Sequence, residues 1–319
     1  MHYLCNHNAL FNAECQIITS FAKIFTLAHK AGFVNIIGFP NVGKSTLLNE
    51  FLGERLSIVT KKEQTTRHRI LGMLNQIDYQ IIFSDTPGIL EPKYKLQESM
   101  MNTVNSTFAD ADHILLMIDL SRIREFGEAF MKKLIGRQGQ ITVLLNKLDL
   151  TDQPKAAEQH AFWKEKLPKS SVFVISALHK FGVKELLDHI VEILPESPPY
   201  YPKDQLTDKS ERFIVSEMIR KQVFQHTSQE IPYSTEIVVN TFKESENIIH
   251  MGCNIFVERD SQKNIIIGSG GKMIKKIGTE ARIEIERFFQ KQVFIELFVK
   301  VDKDWRSRED KLRKYGYIN

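Results

Sequence analysis

The chain has 319 residues, of which 42% are hydrophobic and 26% charged, and its formal net charge is +4. This composition is ordinary for a globular protein long enough for two domains, and the small net charge means that any basic surface must be local. The three cysteines, Cys5, Cys15 and Cys253, lie too far apart for a Cys-x-x-Cys pair, and the sequence lacks a run of 18 apolar residues. We therefore exclude a disulfide framework, a structural zinc site and a membrane-spanning helix.

Residues 1–29 differ from the rest of the chain because Glu14 and Lys23 are their only charged side chains. They contain no arginine, and they lack a clear basic start followed by a small-residue cleavage site. They therefore match neither a transit peptide nor a secretory signal. We expect a poorly ordered extension, and a short amphipathic contact with a membrane or with the first domain is the alternative.

The first strong motif is a phosphate-binding loop. An apolar run at residues 33–37 predicts a buried strand, and residues 45–52 predict a helix that ends at Gly53. The residues between them fit the pattern G-x-x-x-x-G-K-[ST], as Gly38-Phe39-Pro40-Asn41-Val42-Gly43-Lys44-Ser45. In such a loop, backbone N–H groups face phosphate oxygens, the lysine reaches the β- and γ-phosphates, and the hydroxyl binds Mg²⁺. The motif predicts a nucleoside triphosphate site.

Short apolar runs then alternate with helical patterns as far as residue 194. Strands are predicted at residues 69–76, 79–84, 113–119, 141–146 and 171–176, and helices near 95–109, 124–135, 155–167 and 181–193. This alternation predicts an α/β domain over residues 30–194 that carries the P-loop, with a mostly parallel sheet and helices on both faces. Four prolines within residues 195–202 cannot continue a helix and predict an extended linker.

Residues 203–319 follow a different order and predict a second domain of the α+β class. A helix is predicted over residues 209–224, followed by alternating strands over 235–242 and 248–258. An apolar run at 265–267 leads into Gly268-Ser269-Gly270-Gly271, and a helix is predicted over 272–289. The domain ends with a strand at 293–300 and a charged, helical tail from Asp304.

Further polar segments of the first domain follow its strands, at the edge where parallel sheets bind ligands. In Asp85-Thr86-Pro87-Gly88, the carboxylate can hold Mg²⁺ through water and the glycine N–H can meet a γ-phosphate. In Asn146-Lys147-Leu148-Asp149, the last carboxylate can accept from the N1–H and exocyclic amine of guanine, and the lysine stem can pack over the base. Backbone N–H groups of Ser176-Ala177-Leu178 can meet the guanine O6. Adenine lacks that donor pair, so GTP is favoured over the alternative of a metabolic ATPase.

These motifs resemble those of the Ras-like translational GTPases. The resemblance implies that Thr66, with Thr65 as the alternative, binds Mg²⁺ and the γ-phosphate. Ile89 stands where Ras has a water-orienting glutamine, which is typical of the TrmE–Era–EngA group and implies slow intrinsic hydrolysis. The expected catalytic residues are Lys44, Thr66, Asp85 and Gly88, and the expected Mg²⁺ ligands are Ser45, Thr66 and Asp85. The expected GTP contacts come from Gly38, Asn41, Val42, Gly43, Lys44, Ser45, Thr46, Asp85, Thr86, Gly88, Asn146, Lys147, Asp149, Ser176, Ala177 and Leu178.

The glycine loop of the second domain predicts RNA binding. Residues 268–271 satisfy the GXXG pattern of KH domains, which clamp about four nucleotides of single-stranded RNA. We expect a strand before this loop and a helix after it. Three lysines follow before the first acidic residue, Glu280, so the expected RNA-binding residues are Gly268, Ser269, Gly270, Gly271, Lys272, Lys275 and Lys276. A module that docks on a protein or on anionic lipid headgroups is the alternative.

Residues 30–319 resemble the Era family of bacterial ribosome-assembly GTPases over nearly their whole length. The resemblance is carried by residues 38–46 and 267–271, by Trp305, by Ile231-Pro232-Tyr233-Ser234 and by Lys61-Lys62-Glu63-Gln64-Thr65-Thr66-Arg67-His68-Arg69. It implies a type II KH domain, GTP or GDP with Mg²⁺ as ligands, and binding to the 3′ end of 16S ribosomal RNA in the small ribosomal subunit. It also implies loose, peripheral association with the inner membrane, and we expect a cytoplasmic monomer. Residues 1–29 have no counterpart in the family, and Gly270 stands where a basic residue is common, a difference that Lys272 can offset.

Overall fold

A computed structural model describes residues 29–318, and the first domain within them is built on six strands and five α-helices. Except for His29, the extension expected at residues 1–29 lies outside the described residues. The strands are β1 (Lys30–Gly38), β2 (Ile70–Asn75), β3 (Tyr79–Asp85), β4 (His113–Asp119), β5 (Ile141–Asn146) and β6 (Ser171–Val174). The helices are α1 (Lys44–Leu52), α2 (Lys95–Asp110), α3 (Glu128–Gly136), α4 (Gln153–Lys166) and α5 (Val183–Ile193).

The six strands form one sheet in the order β2-β3-β1-β4-β5-β6. Only β2, at the edge, pairs antiparallel with its neighbour, and the other four pairings are parallel. Helices α1 and α5 pack on one face of the sheet, and α2, α3 and α4 pack on the other. The mostly parallel sheet with helices on both faces is therefore confirmed, and the carboxyl ends of its parallel strands meet at one edge.

Local sequence explains the first strand and helix well. Strand β1 is apolar along most of its length, and Val34, Ile36 and Ile37 are fully buried, as a central parallel strand requires. Helix α1 ends at Gly53, whose φ of 69° lies in the left-handed region that glycine adopts at little cost. The chain therefore enters and leaves the phosphate-binding segment through rigid elements.

The proline-rich stretch at residues 195–202 has no helix and lies along the first domain. The Ala31 N–H donates to the Pro195 carbonyl at 3.2 Å, and the side chain of Gln80 accepts from the backbone N–H groups of Tyr200 and Tyr201. Further on, the Met73 N–H donates to the Leu206 carbonyl at 2.8 Å. This stretch is extended, as its prolines predict, but it is packed against the sheet rather than standing free as a spacer.

The second domain has a three-stranded sheet of order β7-β8-β9, in which β7 and β8 are antiparallel and β8 and β9 are parallel. Its strands are β7 (Glu236–Glu244), β8 (Ile248–Val257) and β9 (Gln292–Val301). The helices that follow α5 are α6 (Glu211–His226), α7 (Ile231–Ser234), α8 (Asp260–Ile267), α9 (Lys272–Phe289) and α10 (Glu309–Lys314). Apolar side chains of α6, α8 and α9 cover one face of this sheet.

The strand expected before the glycine loop is wrong, because residues 265–267 form the last turn of α8. The apolar run Ile265-Ile266-Ile267 is compatible with either a strand or a helix when it is taken alone. Within α8, the most buried side chains are Gln262 and Ile266, one helical turn apart, and Ile265 is half exposed. The GXXG loop therefore joins two helices.

The two domains share hydrophobic contacts. Leu56 and Ile70 of the first domain are part of the buried cluster that α6, α8 and α9 form with the second sheet. The C-terminal tail crosses back to the first domain, where Trp305 and Leu312 pack against Leu96 of α2. No helix within residues 29–318 is long and apolar enough to span a membrane.

Candidate nucleotide site and RNA-binding loop

The phosphate-binding loop follows β1 and wraps around the start of α1. Gly43 has a φ of 109°, and a Cβ atom there would lie 2.3 Å from the Asn146 amide nitrogen, so only glycine fits. The Lys44 ammonium donates to the Gly38 carbonyl at 3.2 Å and to the Phe39 carbonyl at 2.9 Å. Its side chain thus lies under the loop, beside the positions that phosphate oxygens occupy in such loops.

Three oxygen-bearing side chains meet at the end of this loop. The Ser45 hydroxyl donates to Asp85 Oδ2 at 2.6 Å and lies 3.0 Å from Thr66 Oγ1, which itself donates to Asp85 Oδ2 at 3.2 Å. Asp85 is fully buried, and within residues 29–318 its other oxygen, Oδ1, lacks a hydrogen-bond partner. Hydroxyl and carboxylate oxygens are the ligands that Mg²⁺ prefers, so this donor set fits a magnesium ion.

Burial shifts the charge balance of this site. It lowers the pKa of Lys44 to about 8, an effect that the Asp85 carboxylate opposes, and it raises the pKa of Asp85 against the influence of Lys44. Both shifts mean that burial disfavours the charged forms of the two side chains. A phosphate beside Lys44 would stabilise the ammonium and a cation beside Asp85 would stabilise the carboxylate, so the pair fits a metal–phosphate group.

Thr65 and Thr66 point to different places. The Thr65 hydroxyl lies 2.8 Å from Thr60 Oγ1 and donates to the Lys62 carbonyl at 2.9 Å, so it stabilises its own loop. Only Thr66 reaches Ser45 and Asp85. The structure therefore brings Thr66, rather than Thr65, into the cluster with Ser45 and Asp85.

We expect Thr66→Ala to lower the rate of nucleoside triphosphate hydrolysis about tenfold, which corresponds to roughly 1.4 kcal/mol of transition-state stabilisation lost with one hydroxyl of this cluster. Thr65→Ala is the matched control and should stay within about threefold of the unmodified protein. Single-turnover hydrolysis measured at several Mg²⁺ concentrations tests the pair. Equal loss in the two variants would contradict the placement of Thr66.

The expected guanine-binding residues also come together. Asn146 bridges two loops, because its Nδ2 donates to the Val42 carbonyl at 2.7 Å and its Oδ1 accepts from the Ala177 N–H at 2.9 Å. The Ser176 hydroxyl donates to Asp149 Oδ1 at 2.5 Å. Strand β6 ends two residues before Ser176, which places residues 176–178 in the loop that follows the strand. The loop after β5 and the loop after β6 thus face the phosphate-binding loop.

Two parts of this pocket were missed by the sequence analysis. Lys147, at a φ of 67°, donates to Asp119 Oδ2 at 2.6 Å, so Asp119 fixes the lysine stem expected over the base. Phe224 and Gln225 of the second domain line the same cleft of about 700 Å³. Asp119 is the last residue of a predicted strand and could have been found by its position, whereas the two α6 residues carry no local signal of this contact.

The GXXG loop lies between α8 and α9, at the opposite end of α9 from its junction with β9. Gly268, Gly270 and Gly271 have φ values of 72°, 59° and 77°. Lys272, Lys275 and Lys276 are exposed on the first two turns of α9. The first acidic side chain after them, Glu280, lies 2.6 Å from His226 Nε2, which directs its carboxylate toward α6. The expected RNA-binding residues therefore lie around one helix start, where Ser269, Gly270 and the three lysines are exposed and the other two glycines are partly exposed.

A P-loop sheet with a guanine-type pocket, joined to a domain with a GXXG loop between two helices, defines a GTPase fused to a KH domain. Family models agree with this class: one described as 50S ribosome-binding GTPase matches residues 33–147, and a KH domain model matches residues 230–306. The chain is 43% identical to the GTPase Era of Syntrophus aciditrophicus over 295 residues, which cover 92% of this chain and 96% of that protein. It is also 43% identical to the GTPase Era of Geobacter metallireducens over 291 residues, which cover 90% of this chain and 98% of that protein. The chain belongs to the Era family of GTPases.

Solved Era structures support the same assignment. A crystal structure of Era in complex with MgGDPNP and nucleotides 1506–1542 of 16S ribosomal RNA matches with a TM-score of 0.86 and 37% identity. An Aquifex aeolicus Era variant bound to GDP·AlF₄⁻ matches with the same score and identity. Each match covers 91% of this chain and 100% of the solved chain. The two-domain fold and the GTPase class predicted from the sequence are therefore confirmed.

Proposed function

We propose that this protein is a slowly hydrolysing GTP switch that acts in assembly of the small ribosomal subunit by binding the 3′ end of 16S ribosomal RNA. The observation that carries the proposal is that the segment bearing Thr66 touches both the metal-binding cluster and the domain with the GXXG loop. The Era complex with a GTP analogue and 16S ribosomal RNA supports the same pair of ligands. A change at the nucleotide therefore has a direct physical route to the RNA-binding domain.

We assign the site residues as the sequence predicts them. Ser45, Thr66 and Asp85 hold Mg²⁺, and Lys44 meets the β- and γ-phosphates. When bound, Mg²⁺ neutralises negative charge on the phosphates. Asp149 reads guanine, with its carboxylate oriented by the Ser176 hydroxyl. The arrangement of these groups at one sheet edge supports the assignment.

The low intrinsic rate rests on Ile89. Its N–H donates to the Gly38 carbonyl at 3.0 Å, and its side chain packs against the apolar cluster beneath α2 and α3. An isoleucine side chain has no polar atom with which to orient an attacking water, unlike the glutamine of Ras. We therefore expect hydrolysis to be slow until another group orders that water.

Binding of ribosomal RNA supports a cytoplasmic location, and peripheral contact with the inner membrane is a second candidate role for the lysines of α9. Flotation with vesicles that contain anionic lipid, with and without an oligonucleotide of the 16S 3′ end, separates the two. We expect the oligonucleotide to reduce flotation of the protein, because RNA and anionic lipid compete for the same lysines. Flotation that the oligonucleotide leaves unchanged would favour the docking alternative.

RNA affinity should depend on the bound nucleotide. We expect the dissociation constants of a 16S 3′-end oligonucleotide for the protein with GTP analogue and with GDP to differ at least about fivefold, the lower bound of typical coupling energies. Fluorescence anisotropy at one fixed salt concentration measures them, because phosphate contacts are salt-dependent. Neutralising Lys272, Lys275 and Lys276 together should weaken binding in every nucleotide state. Equal affinity in the three states of GTP analogue, GDP and no nucleotide would contradict the switch.

A further inference from the structure

The switch segment, residues 60–68, is hydrogen-bonded to the second domain on both sides of Thr66. On the N-terminal side, the Lys62 ammonium donates to the carbonyls of Phe224 and Thr227. These two carbonyls lie at the C-terminal end of α6, where backbone carbonyls lack partners within the helix and a cation is favoured. Lys62 thus caps a helix of the other domain.

On the C-terminal side, Arg67 is 3% exposed and enters the second domain. One guanidinium nitrogen donates to the Thr235 carbonyl at 2.8 Å and to Glu236 Oε2 at 3.3 Å. The other donates to the Pro232 carbonyl at 2.9 Å and to the Tyr233 carbonyl at 3.1 Å. These four acceptors lie within residues 232–236, from α7 to the first residue of β7.

Aromatic rings and the C-terminal tail surround the Arg67 guanidinium. The ring centroids of Phe224 and Trp305 each lie 5.9 Å from its central carbon. His68 stacks on Tyr317 of the tail at a centroid distance of 4.2 Å, and the Tyr317 hydroxyl donates to Glu236 at 2.6 Å. The guanidinium is therefore paired, hydrogen-bonded and shielded from water, and withdrawing it would leave Glu236 and several carbonyls unsatisfied.

This anchor restricts Thr66 because adjacent Cα atoms are about 3.8 Å apart. Thr66 reaches Ser45 and Asp85 at 3.0 and 3.2 Å, and a displacement of about 1 Å would break both contacts. The four acceptors that hold the Arg67 guanidinium limit how far the adjacent backbone of Thr66 can move.

We infer that Arg67, assisted by Lys62, is a positioning residue for GTP hydrolysis: the second domain, through these side chains, holds Thr66 at the metal-binding cluster. The inference rests on the proposed role of Thr66. It gives the KH domain and the tail an active part in the chemistry of the first domain. The coupling is reciprocal, so ordering of Thr66 by bound nucleotide also favours the docked arrangement.

Arg67→Lys tests the inference in the full-length protein. Lysine keeps the charge but cannot satisfy four acceptors with a planar fork. Arg137→Lys is the matched control, because Arg137 donates to the Ala111 carbonyl at 2.5 Å and to the Phe108 carbonyl within the first domain. We expect kcat to fall about tenfold in Arg67→Lys only, with GDP affinity and the number of GDP sites per chain unchanged within about twofold.

Three outcomes would overturn the inference. The kcat of Arg67→Lys could equal that of the wild type, or kcat could fall equally in Arg137→Lys. The third outcome is a fall in the kcat of Arg67→Lys that only matches its loss of GDP sites per chain. If Arg67→Lys does not fold, Lys62→Met tests the other contact of this segment, with the C-terminal end of α6, and the exposed Lys132→Met is its control. We expect about threefold lower kcat in Lys62→Met and no change in Lys132→Met. Thr66→Ala distinguishes failure of the positioning inference from failure of the proposed role of Thr66. If Thr66→Ala hydrolyses GTP at the normal rate, the proposed role of Thr66 is wrong. If Thr66→Ala is slow while Arg67→Lys and Lys62→Met hydrolyse GTP normally, only the positioning role is wrong.

Discussion

Asp149→Asn should lower the affinity for GTP about a thousandfold and raise the affinity for xanthosine triphosphate. Hydrogen bonds to a charged group contribute about 1.5–3 kcal/mol each, so two bonds to guanine amount to about 4 kcal/mol. The asparagine amide donates where the guanine amine also donates, which leaves both groups unpaired. Xanthine has a carbonyl at that position and accepts from the amide, so the preference between the two bases reverses.

Asp152→Asn is the matched control for this reversal. Asp152 lies three residues further on and caps α4 by accepting from the Lys155 N–H at 2.9 Å, a role that asparagine fills equally well. Competition of GTP, xanthosine triphosphate and ATP for a fluorescent GDP analogue measures all three affinities in each variant. Unchanged GTP preference in Asp149→Asn would refute the guanine-reading role, and a similar loss in Asp152→Asn would point to a disturbed loop.

The first domain was predictable from sequence because its signals are local. Strands buried on both faces appear as short apolar runs, and each nucleotide-binding segment follows such a run directly. Lys44, Ser45, Asp85 and Asp149 therefore came together at one sheet edge once the strand order was known. The choice between Thr65 and Thr66 needed the structure, since two adjacent threonines differ only in the direction of their side chains.

Contacts between the domains had no such signal. Lys62 and Arg67 are basic residues in a polar loop, and charged side chains there are usually solvated. Their partners are mainly backbone carbonyls more than 150 residues away, and any sequence can supply a carbonyl. The wrong prediction of a strand at 265–267 also reflects a weak local signal, because a three-residue apolar run does not distinguish a strand from the last turn of a helix.

The glycines of the GXXG loop are not equivalent, which decides how its function should be tested. A Cβ atom on Gly268 would lie 2.7 Å from the Met273 Cβ and 2.9 Å from its backbone nitrogen, so any side chain there distorts the start of α9. A Cβ atom on Gly270 meets no heavy atom of the described residues within 4 Å, and its φ of 59° is tolerated by asparagine and aspartate. Substitutions at Gly270 therefore change charge more than shape.

Gly270→Asp should weaken binding of a 16S 3′-end oligonucleotide about a hundredfold, while Gly270→Lys should strengthen it several-fold. Two like charges about 4 Å apart repel by roughly 1–4 kcal/mol at the effective dielectric constants of water and of a protein surface. Lysine instead adds one phosphate contact, which should steepen the salt dependence of binding by about one unit of slope or slightly less. Gly270→Asn, which carries no charge, controls for the backbone, and GDP affinity should be the same in all variants because residues 268–271 do not line the nucleotide cleft. If aspartate and lysine had the same effect on RNA affinity, the loop would not be holding a phosphate, and the docking alternative for the second domain would gain support.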